Sequence, residues 1–534
     1  MPAELLAVIV GAVLLSALAR RYNLSSPLTL VVAGLIVGLI PGIPQIMLDP
    51  HLVLFVILPP LLWTAGLESS YVDLRKNIAA IGWLAVGLPI ATTFVVGYVA
   101  YRTVPELTLA AGLVLGAIVA PPDAVSASAI GRRLGLSRKT MTLLGGESLL
   151  NDATALTAYK VALAAAVGTA QSWGDAAGVF VWAVIGGVVV GLVLGKAIVF
   201  VRSWLSDSVA ESAIGLMAPF VIYLIAEEVH GSGVLAVVVA ALILGQRSTQ
   251  AGYATRLQDD AVWRAVQLLL ESVAFLLIGL QLPQAVREMK GIPAETVLVS
   301  SVAVFATVIV VRIAWVFGSA YLLPRQRDHN GEPLEKPTPA QVFVVAWAGM
   351  RGVVSLAAAF GVPATTLAGD AFPGRPSIIF LTFVVVVGTL LLHGLTLPWV
   401  IRYLGVTGDE EAHADALAIV TARTRAAEAA VQKLEEKLAK ARAAGKPMDT
   451  YDRAAKVLRE WNKRRRNEAW EERLGRGEEE LGAAPAEAFR RLRLEMLAAE
   501  RATFIAERDA NRIDDEVLRS LMHDLDLQEA TLNR

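Results

Sequence analysis

The chain contains no cysteine, which excludes disulfides, thiolate catalysis and zinc–thiolate centres. It is also poor in charge. Only 18% of its 534 residues are Asp, Glu, Lys or Arg, and the net charge is −1. A balance so close to zero offers no basic face to nucleic acid. No H-E-x-x-H metal-ligand pair occurs anywhere, and residues 408–534 carry no nucleotide or metal motif, so no cofactor is expected. The opening MPAELLAVIV has no basic n-region. Its apolar run therefore reads as a first spanning helix rather than as a cleaved signal.

Apolar sequence fills the space that charge leaves. The chain is 55% hydrophobic with a mean hydropathy of +0.55, too apolar for a soluble protein of this size and fitting a polytopic membrane protein. Charge is unevenly spread: residues 408–534 hold 24 of the 48 basic and 27 of the 49 acidic side chains. The expected organisation is a transmembrane domain over 1–407 followed by a soluble helical tail over 408–534.

Thirteen stretches are long enough for roughly 30 Å of hydrocarbon, if some tilt, break or extend. They lie near 3–20, 27–41, 51–67, 78–101, 107–130, 140–168, 175–201, 209–229, 232–246, 261–282, 295–322, 340–362 and 376–404. Alternate loops, beginning with the one after the first stretch, carry fifteen Lys and Arg, among them Arg20, Arg75, Arg138, Arg202, Arg247 and Lys336; the remaining loops carry four. The basic set belongs in the cytoplasm, which puts the N-terminus outside and the tail inside. Thirteen divides as six, a linker and six, and one linking crossing inverts the second half on the first. The expected fold is an all-α polytopic membrane protein with thirteen transmembrane helices in two inverted six-helix repeats, a common transporter plan with its site on interrupted helices near the midplane.

The interruptions stand at matching places. The fifth stretch contains Ala120-Pro121-Pro122-Asp123, where neither proline can donate a backbone hydrogen bond. The twelfth contains Gly349-Met350-Arg351-Gly352, a flexible point with a charge in it. An ordinary kink accounts for either alone. Two breaks at corresponding positions, each beside an ionisable residue, favour a functional reading.

The sixth stretch holds Gly145–Tyr159, GGESLLNDATALTAY, with Glu147, Asn151 and Asp152 inside apolar sequence. A charge at the centre of a membrane helix costs roughly 2.5–3.5 kcal/mol on the lenient insertion scale. At helical spacing Ser148 and Asp152 share one face, and Glu147 and Asn151 the adjacent stripe. The ionisable residues at membrane depth are Asp123, Glu147, Asp152, Glu271, Arg312 and Arg351. Lys160 and Lys196 lie nearer helix ends, where their stems can snorkel. Two Glu–Arg pairs would neutralise four of the six and leave the surplus negative charge on Asp123 and Asp152. Such a site suits a small cation that can leave, or a proton in its place. Ser148, Thr154 and carbonyls released by the prolines are candidates to complete an oxygen shell. Burial raises a carboxylate's pKa towards neutrality, so one group can trade a proton for a metal ion near physiological pH. Glu147, Glu271, Arg312 and Arg351 are expected to hold helices together through ion pairs, and His393 to be a packed or capping histidine.

GGESLLNDATALTAY resembles the sixth-helix signature of the monovalent cation:proton antiporter family 1, the electroneutral sodium/proton exchangers. APPDAVSASAI is similar to its fifth-helix aspartate motif. IYLIAEEVHGSGVLAVVVAALILG, ESVAFLLIGLQL and WAGMRGVVSLAAA follow in the family's order, and LMHDLDLQEATL resembles the ending of bacterial members. The resemblance covers nearly the whole chain. It implies a homodimer with separate core and dimerisation bundles, the core being helices four to six and eleven to thirteen, in a bacterial inner membrane. It places Asp152 on the ion-binding aspartate, Asn151 on the asparagine before it, Asp123 on the aspartate of the interrupted helix, and Glu147 with Arg351 on a buried ion pair. Two departures stand out. Pro122-Asp123-Ala124 replaces the frequent Thr-Asp-Pro, and Thr64 stands where many members carry an acid on the third helix. Related electrogenic exchangers have a second aspartate at Asn151, so a neutral residue there implies one-for-one exchange.

The activity expected is therefore secondary active antiport of a monovalent cation (Na+, with K+ or Li+ as alternatives) against H+, with Asp152 as the shared site assisted by Asp123, serving sodium transport and pH homeostasis. A potassium/proton antiporter is the near alternative. A tail-gated cation channel is a rival from another class, but no filter sequence is visible. An intramembrane hydrolase lacks a base near Ser148. In the tail, Ala412–Ala444 reads as a charged helix with pairs such as Glu436–Lys440. Gly445–Thr450 breaks it, Gly475–Pro485 separates two later helices, and Lys463–Arg466 reads as a solvated basic run.

Overall fold

The computed structural model describes residues 2–22, 24–40, 53–123, 130–131, 134–168, 173–205, 207–248, 251–289, 291–322, 337–406, 409–444, 448–474, 485–509 and 515–532. Among these residues every regular element is helical, and the one β feature is an isolated bridge between Thr365 and Ala371. The chain divides into two compact units, Met1–Thr407 and Gly408–Arg534.

The first unit opens with α1 (Pro2–Arg21) and α2 (Ser26–Gly38). A π-helical turn, Val53–Ile57, leads into α3 (Leu58–Glu68), followed by the short α4 (Tyr71–Lys76). Next comes α5 (Ile78–Gly82), joined through a second π turn, Trp83–Gly87, to α6 (Leu88–Thr103). Then follow α7 (Leu109–Ile118), α8 (Arg138–Val167), α9 (Trp173–Trp204), α10 (Ser208–Glu228) and α11 (Gly233–Arg247). The long α12 (Tyr253–Glu288) and α13 (Ala294–Leu322) precede a split pair, α14 (Pro339–Trp347) and α15 (Val353–Phe360), and α16 (Arg375–Leu404) closes the unit.

Local sequence accounts for the helix starts. Ser137, Ser232 and Thr338 are N-caps whose hydroxyls accept from backbone N–H groups three residues on, and Gln341 completes a capping box with Thr338. Prolines occupy the first turns of α6, α14 and α16, where a missing N–H costs nothing. The described parts of all thirteen predicted stretches are mainly helical. Among the described residues six helices, 78–103, 177–204, 208–228, 253–288, 294–322 and 375–404, are long and apolar enough to cross a membrane. Val181, Trp182, Ile185, Val189 and Val193 are exposed on α9, an apolar face of the kind that contacts lipid.

The buried apolar side chains form two large clusters. One gathers Leu115, Ile118, Met350 and Phe383; the other surrounds Trp63, Leu149, Ile222 and Ala236. Helix α8 belongs to both, because Leu144 and Tyr159 pack into the first while Leu149 and Ala153 pack into the second. Its polar stripe is thereby held between them. Where α2 crosses α12, Gly34 lies against the carbonyl of Leu276 and Gly279 against that of Val31, so closely that neither position has room for a Cβ.

The second unit consists of α17 (Asp409–Ala443), α18 (Met448–Leu474), α19 (Pro485–Asp509) and α20 (Asp515–Leu532). Glu436 accepts from Lys433 at 2.8 Å and from Lys440 at 2.9 Å, and these ammonium groups hold its carboxyl below the ordinary glutamate range. Arg459 bridges α18 to Glu435 of α17, and Arg501 bridges α19 to Asp526 and Glu529 of α20. In the basic run Lys463 is an exposed residue of α18; the side chains of Arg464, Arg465 and Arg466 lie outside the described residues, as do positions 445–447 and 475–484.

Candidate functional site

Both predicted interruptions are present. Helix α7 ends at Ile118 and the chain runs non-helically through Ala120-Pro121-Pro122-Asp123. The prolines remove the two N–H groups that would have continued it. Helix α14 stops at Trp347, and α15 restarts at Val353 after an extended Gly352 with φ −130° and ψ −159°.

Backbone and arginine bonds tie the two breaks together. The N–H of Asp123 donates to the Met350 carbonyl at 2.6 Å. The Arg351 guanidinium, fully buried, donates from Nε to Val119 O at 2.7 Å and from Nη1 to Gly349 O at 2.9 Å. Its own N–H donates to Thr389 Oγ1 at 3.0 Å. Val119 caps the end of α7 and Gly349 lies within the second break, so both carbonyls lack an intrahelical partner. A Cβ on Gly352 would lie 2.8 Å from the Asp123 Cβ, so glycine is what lets the second break close on the first.

Helix α8 brings its polar stripe to this point. Asn151, with no exposed surface, donates from Nδ2 to Pro122 O at 3.2 Å. Asp152, the next residue, is 8% exposed. It lines a cavity of about 60 Å3 together with Pro121, Pro122, Asp123, Ser148, Glu271 and Ser355. No ion pair or hydrogen bond to the Asp152 carboxyl is recorded among the described residues. A wider cavity of about 320 Å3 shares Leu61, Ala65 and Ser148 with the small one and is lined further out by Thr64, Glu68, Asp73, Arg138 and Gln267. The two cavities thus adjoin at Leu61, Ala65 and Ser148, the wider one towards the start of α8 and the smaller one at Asp152.

The structure corrects one predicted pairing. Glu147 is held by Arg312, not by Arg351: Nη1 to Oε1 is 2.5 Å and Nη2 to Oε2 is 3.0 Å, with both side chains buried. Arg312 also donates to Ala346 O and Val345 O, each at 3.0 Å, and so caps the last turn of α14. The reason is geometric. Arg351 is turned to the carbonyls of the breaks through Nε and Nη1, its Nη2 having no partner among the described residues, whereas Arg312 on α13 reaches Glu147 with the paired geometry that suits a carboxylate.

Other predicted residues are placed differently from one another. Ser148, Asp123 and Asp152 meet at the cavity, but Thr154 does not line it; its hydroxyl donates to Leu150 O of its own helix at 3.3 Å. Glu271, expected as a structural partner, lines the cavity and accepts from Gln267 Nε2 at 2.7 Å. Thr64 lines the wider cavity and donates to Leu61 O. His393 is buried with its ring 4.9 Å from that of Trp347. Lys160 of α8 pairs with Glu227 of α10 at 2.6 Å. Ser355 is a cavity residue that the pattern of charges alone does not single out, because a serine in an apolar run is unremarkable by composition.

A family profile described as "Sodium/hydrogen exchanger, transmembrane" matches residues 6–403. An uncharacterized Na+/H+ exchanger of Mycobacterium tuberculosis is 36% identical over 545 residues, covering 98% of this chain and 94% of that protein. A Bacillus pumilus protein named sodium, potassium, lithium and rubidium/H+ antiporter is 32% identical over 383 residues, covering 70% of this chain and 57% of its own length. Among solved structures, the sodium proton antiporter MjNhaP1 of Methanocaldococcus jannaschii at pH 8 has the same fold, with a TM-score of 0.61, 18% identity, and coverage of 74% of this chain and 96% of that one. The site lies within the matched region, and the chain is a multi-pass membrane protein that belongs to the sodium/hydrogen exchanger family.

Proposed function

We propose that the protein is a secondary active antiporter that exchanges a monovalent cation for H+ by alternating access, with Asp152 as the group the two substrates share. The observation that carries this reading is the position of Asp152. It lines a small cavity where two broken helices meet, while the buried arginines nearby are engaged elsewhere, Arg312 by Glu147 and Arg351 by carbonyls. A carboxylate in a confined, low-dielectric site needs a counter-charge. An alkali cation or a proton supplies it, one excluding the other. Asp123 and Ser148 in the same cavity add oxygen ligands, and the prolines leave backbone carbonyls close by.

Na+ is the first candidate substrate. K+ and Li+ are alternatives, and a potassium/proton antiporter is the nearest second reading, favoured by the breadth of cations in the name of the Bacillus pumilus relative. Asn151 is an amide that donates to Pro122 O and cannot take up a proton, which supports electroneutral one-for-one exchange. The basic loops put the start of α8 and the wider cavity on the cytoplasmic side. On this reading thirteen crossings form two inverted six-helix repeats, the protein is a homodimer in a bacterial inner membrane, and residues 408–534 are a cytoplasmic regulatory tail.

The test is cation-driven proton flux in inverted vesicles with a pH dye. Wild-type protein is expected to dissipate a proton gradient on addition of Na+, K+ or Li+, with the ranking giving the preference. Asp152→Asn and Asp152→Ala are expected to fall to the level of empty vesicles. Flux that survives either substitution overturns the assignment of Asp152.

A further inference from the structure

Ser355 stands in the first turn of α15, just beyond the second break. It is 1% exposed, and its hydroxyl has no hydrogen-bond partner among the described residues. Several buried hydroxyls in these helices are satisfied by the carbonyl one turn back, although those of Thr92, Ser212 and Ser377, none of which lines this cavity, are not. Thr93 donates to Pro89 O at 2.8 Å, Thr157 to Ala153 O at 2.6 Å and Thr382 to Ile378 O at 2.8 Å. For Ser355 the corresponding position is Arg351, which lies in the break, where the extended Gly352 turns the chain off the helical path. The interruption that forms the crossing therefore also deprives Ser355 of its usual acceptor.

Ser355 nonetheless lines the cavity that holds Asp123, Ser148, Asp152 and Glu271. A buried polar atom left unpaired is penalised, and native chains satisfy such atoms with a partner, a water or an ion. The cavity, at about 60 Å3, has room for a small ion with a little water. From Ser355 we infer that the transported cation has a further oxygen ligand, contributed by the second broken helix. The shell would then draw on three elements: α8 through Asp152 and Ser148, the first break through Asp123, and α15 through Ser355. A neutral hydroxyl is the ligand this site can add without further negative charge. It would bind the cation and not the proton, since a serine hydroxyl does not take up a proton in this pH range. Ser355 thus separates the two competing substrates, strengthening cation occupancy against H+.

This inference rests on the exchanger reading, and the experiment keeps the two apart. Full-length wild-type protein and Ser355→Ala are reconstituted in liposomes, and proton flux is measured against Na+ and Li+ concentration. Thermal melting is measured in parallel, with and without Na+. Ser355→Ala is expected to raise the apparent KM for the cation about tenfold, equivalent to ~1.4 kcal/mol, with kcat at saturating cation little changed. Its Tm without cation is expected to equal or exceed that of wild type, because an unpaired hydroxyl has been removed, while its Na+-induced rise in Tm shrinks. Ser355→Thr, which keeps the hydroxyl, is expected to restore much of the Na+-induced rise. Wild-type protein without cation-driven flux overturns the exchanger reading itself. An active wild type with unchanged KM and Na+-induced Tm rise in Ser355→Ala overturns the Ser355 assignment alone. A lower Tm without cation in Ser355→Ala also overturns it, by giving the hydroxyl a structural role.

Discussion

Arg312 grips Glu147 with both ends of its guanidinium, at 2.5 and 3.0 Å, and caps Val345 and Ala346 with the same group. One buried side chain on α13 thereby fixes α8, which carries the candidate ion site, to the end of α14, which carries one of the two breaks. Such a pair is costly to bury, and removing one partner is costlier still, because the other charge is left unpaired in low dielectric.

Glu147→Ala and Arg312→Ala are each expected to destabilise the protein by about 3–5 kcal/mol. Thermal melting in detergent checks this. The double variant Glu147→Leu/Arg312→Met is expected to melt above either single variant, since no uncompensated charge remains. Equal melting of all four proteins would mean that the pair does not hold these helices.

The Lys160–Glu227 pair offers the contrast. Its distance is 2.6 Å, but its side chains are 53% and 32% exposed. Exposed pairs contribute about 0–1 kcal/mol. Lys160→Ala is therefore expected to shift Tm far less than Arg312→Ala under the same conditions, and added salt should narrow the difference between Lys160→Ala and wild type.

Gly352→Ala brings a methyl group to within 2.8 Å of the Asp123 Cβ and 2.9 Å of its Cγ. The two breaks then have to separate, which strains the Asp123–Met350 bond and moves the Asp123 carboxyl. Cation-driven flux is expected to fall sharply while the protein still inserts and purifies. Flux equal to wild type would show that the close approach is dispensable.

Asn151→Asp replaces the amide that donates to Pro122 O with a group that can ionise. If exchange is electroneutral because this position is neutral, the variant is expected to become sensitive to membrane potential. A valinomycin-imposed potential in proteoliposomes reads this directly: wild-type flux should not respond, and the variant's should. A potential-sensitive wild type would refute one-for-one exchange.

Much of this architecture was legible without coordinates, because its causes are local. An apolar run of membrane length forms a helix wherever it is placed, since lipid offers its backbone no other hydrogen-bond partners. Pro121 and Pro122 break α7 through missing donors, and Gly349 and Gly352 loosen the twelfth stretch through missing side chains. Ser148, Asp152, Glu147 and Asn151 take their faces of α8 from helical spacing alone. The uneven spread of charge marked position 408 for the same reason: a segment so rich in charge has no place in hydrocarbon. What the sequence by itself determined, then, was which segments are helices, where two of them stop, and which carboxyls lie among apolar residues.

Only the tertiary structure decided which partners those groups take. Glu147 pairs with Arg312, 165 positions away, instead of Arg351, because pairing depends on how α8, α13 and α14 pack, and no spacing along the chain encodes that. Glu271 and Ser355 join Asp152 at one cavity for the same reason. Thr154, one turn from Asn151 and two residues from Asp152, turns its hydroxyl back to its own helix. Local chemistry sets what each residue can do; the crossing of the two broken helices sets which of them do it together.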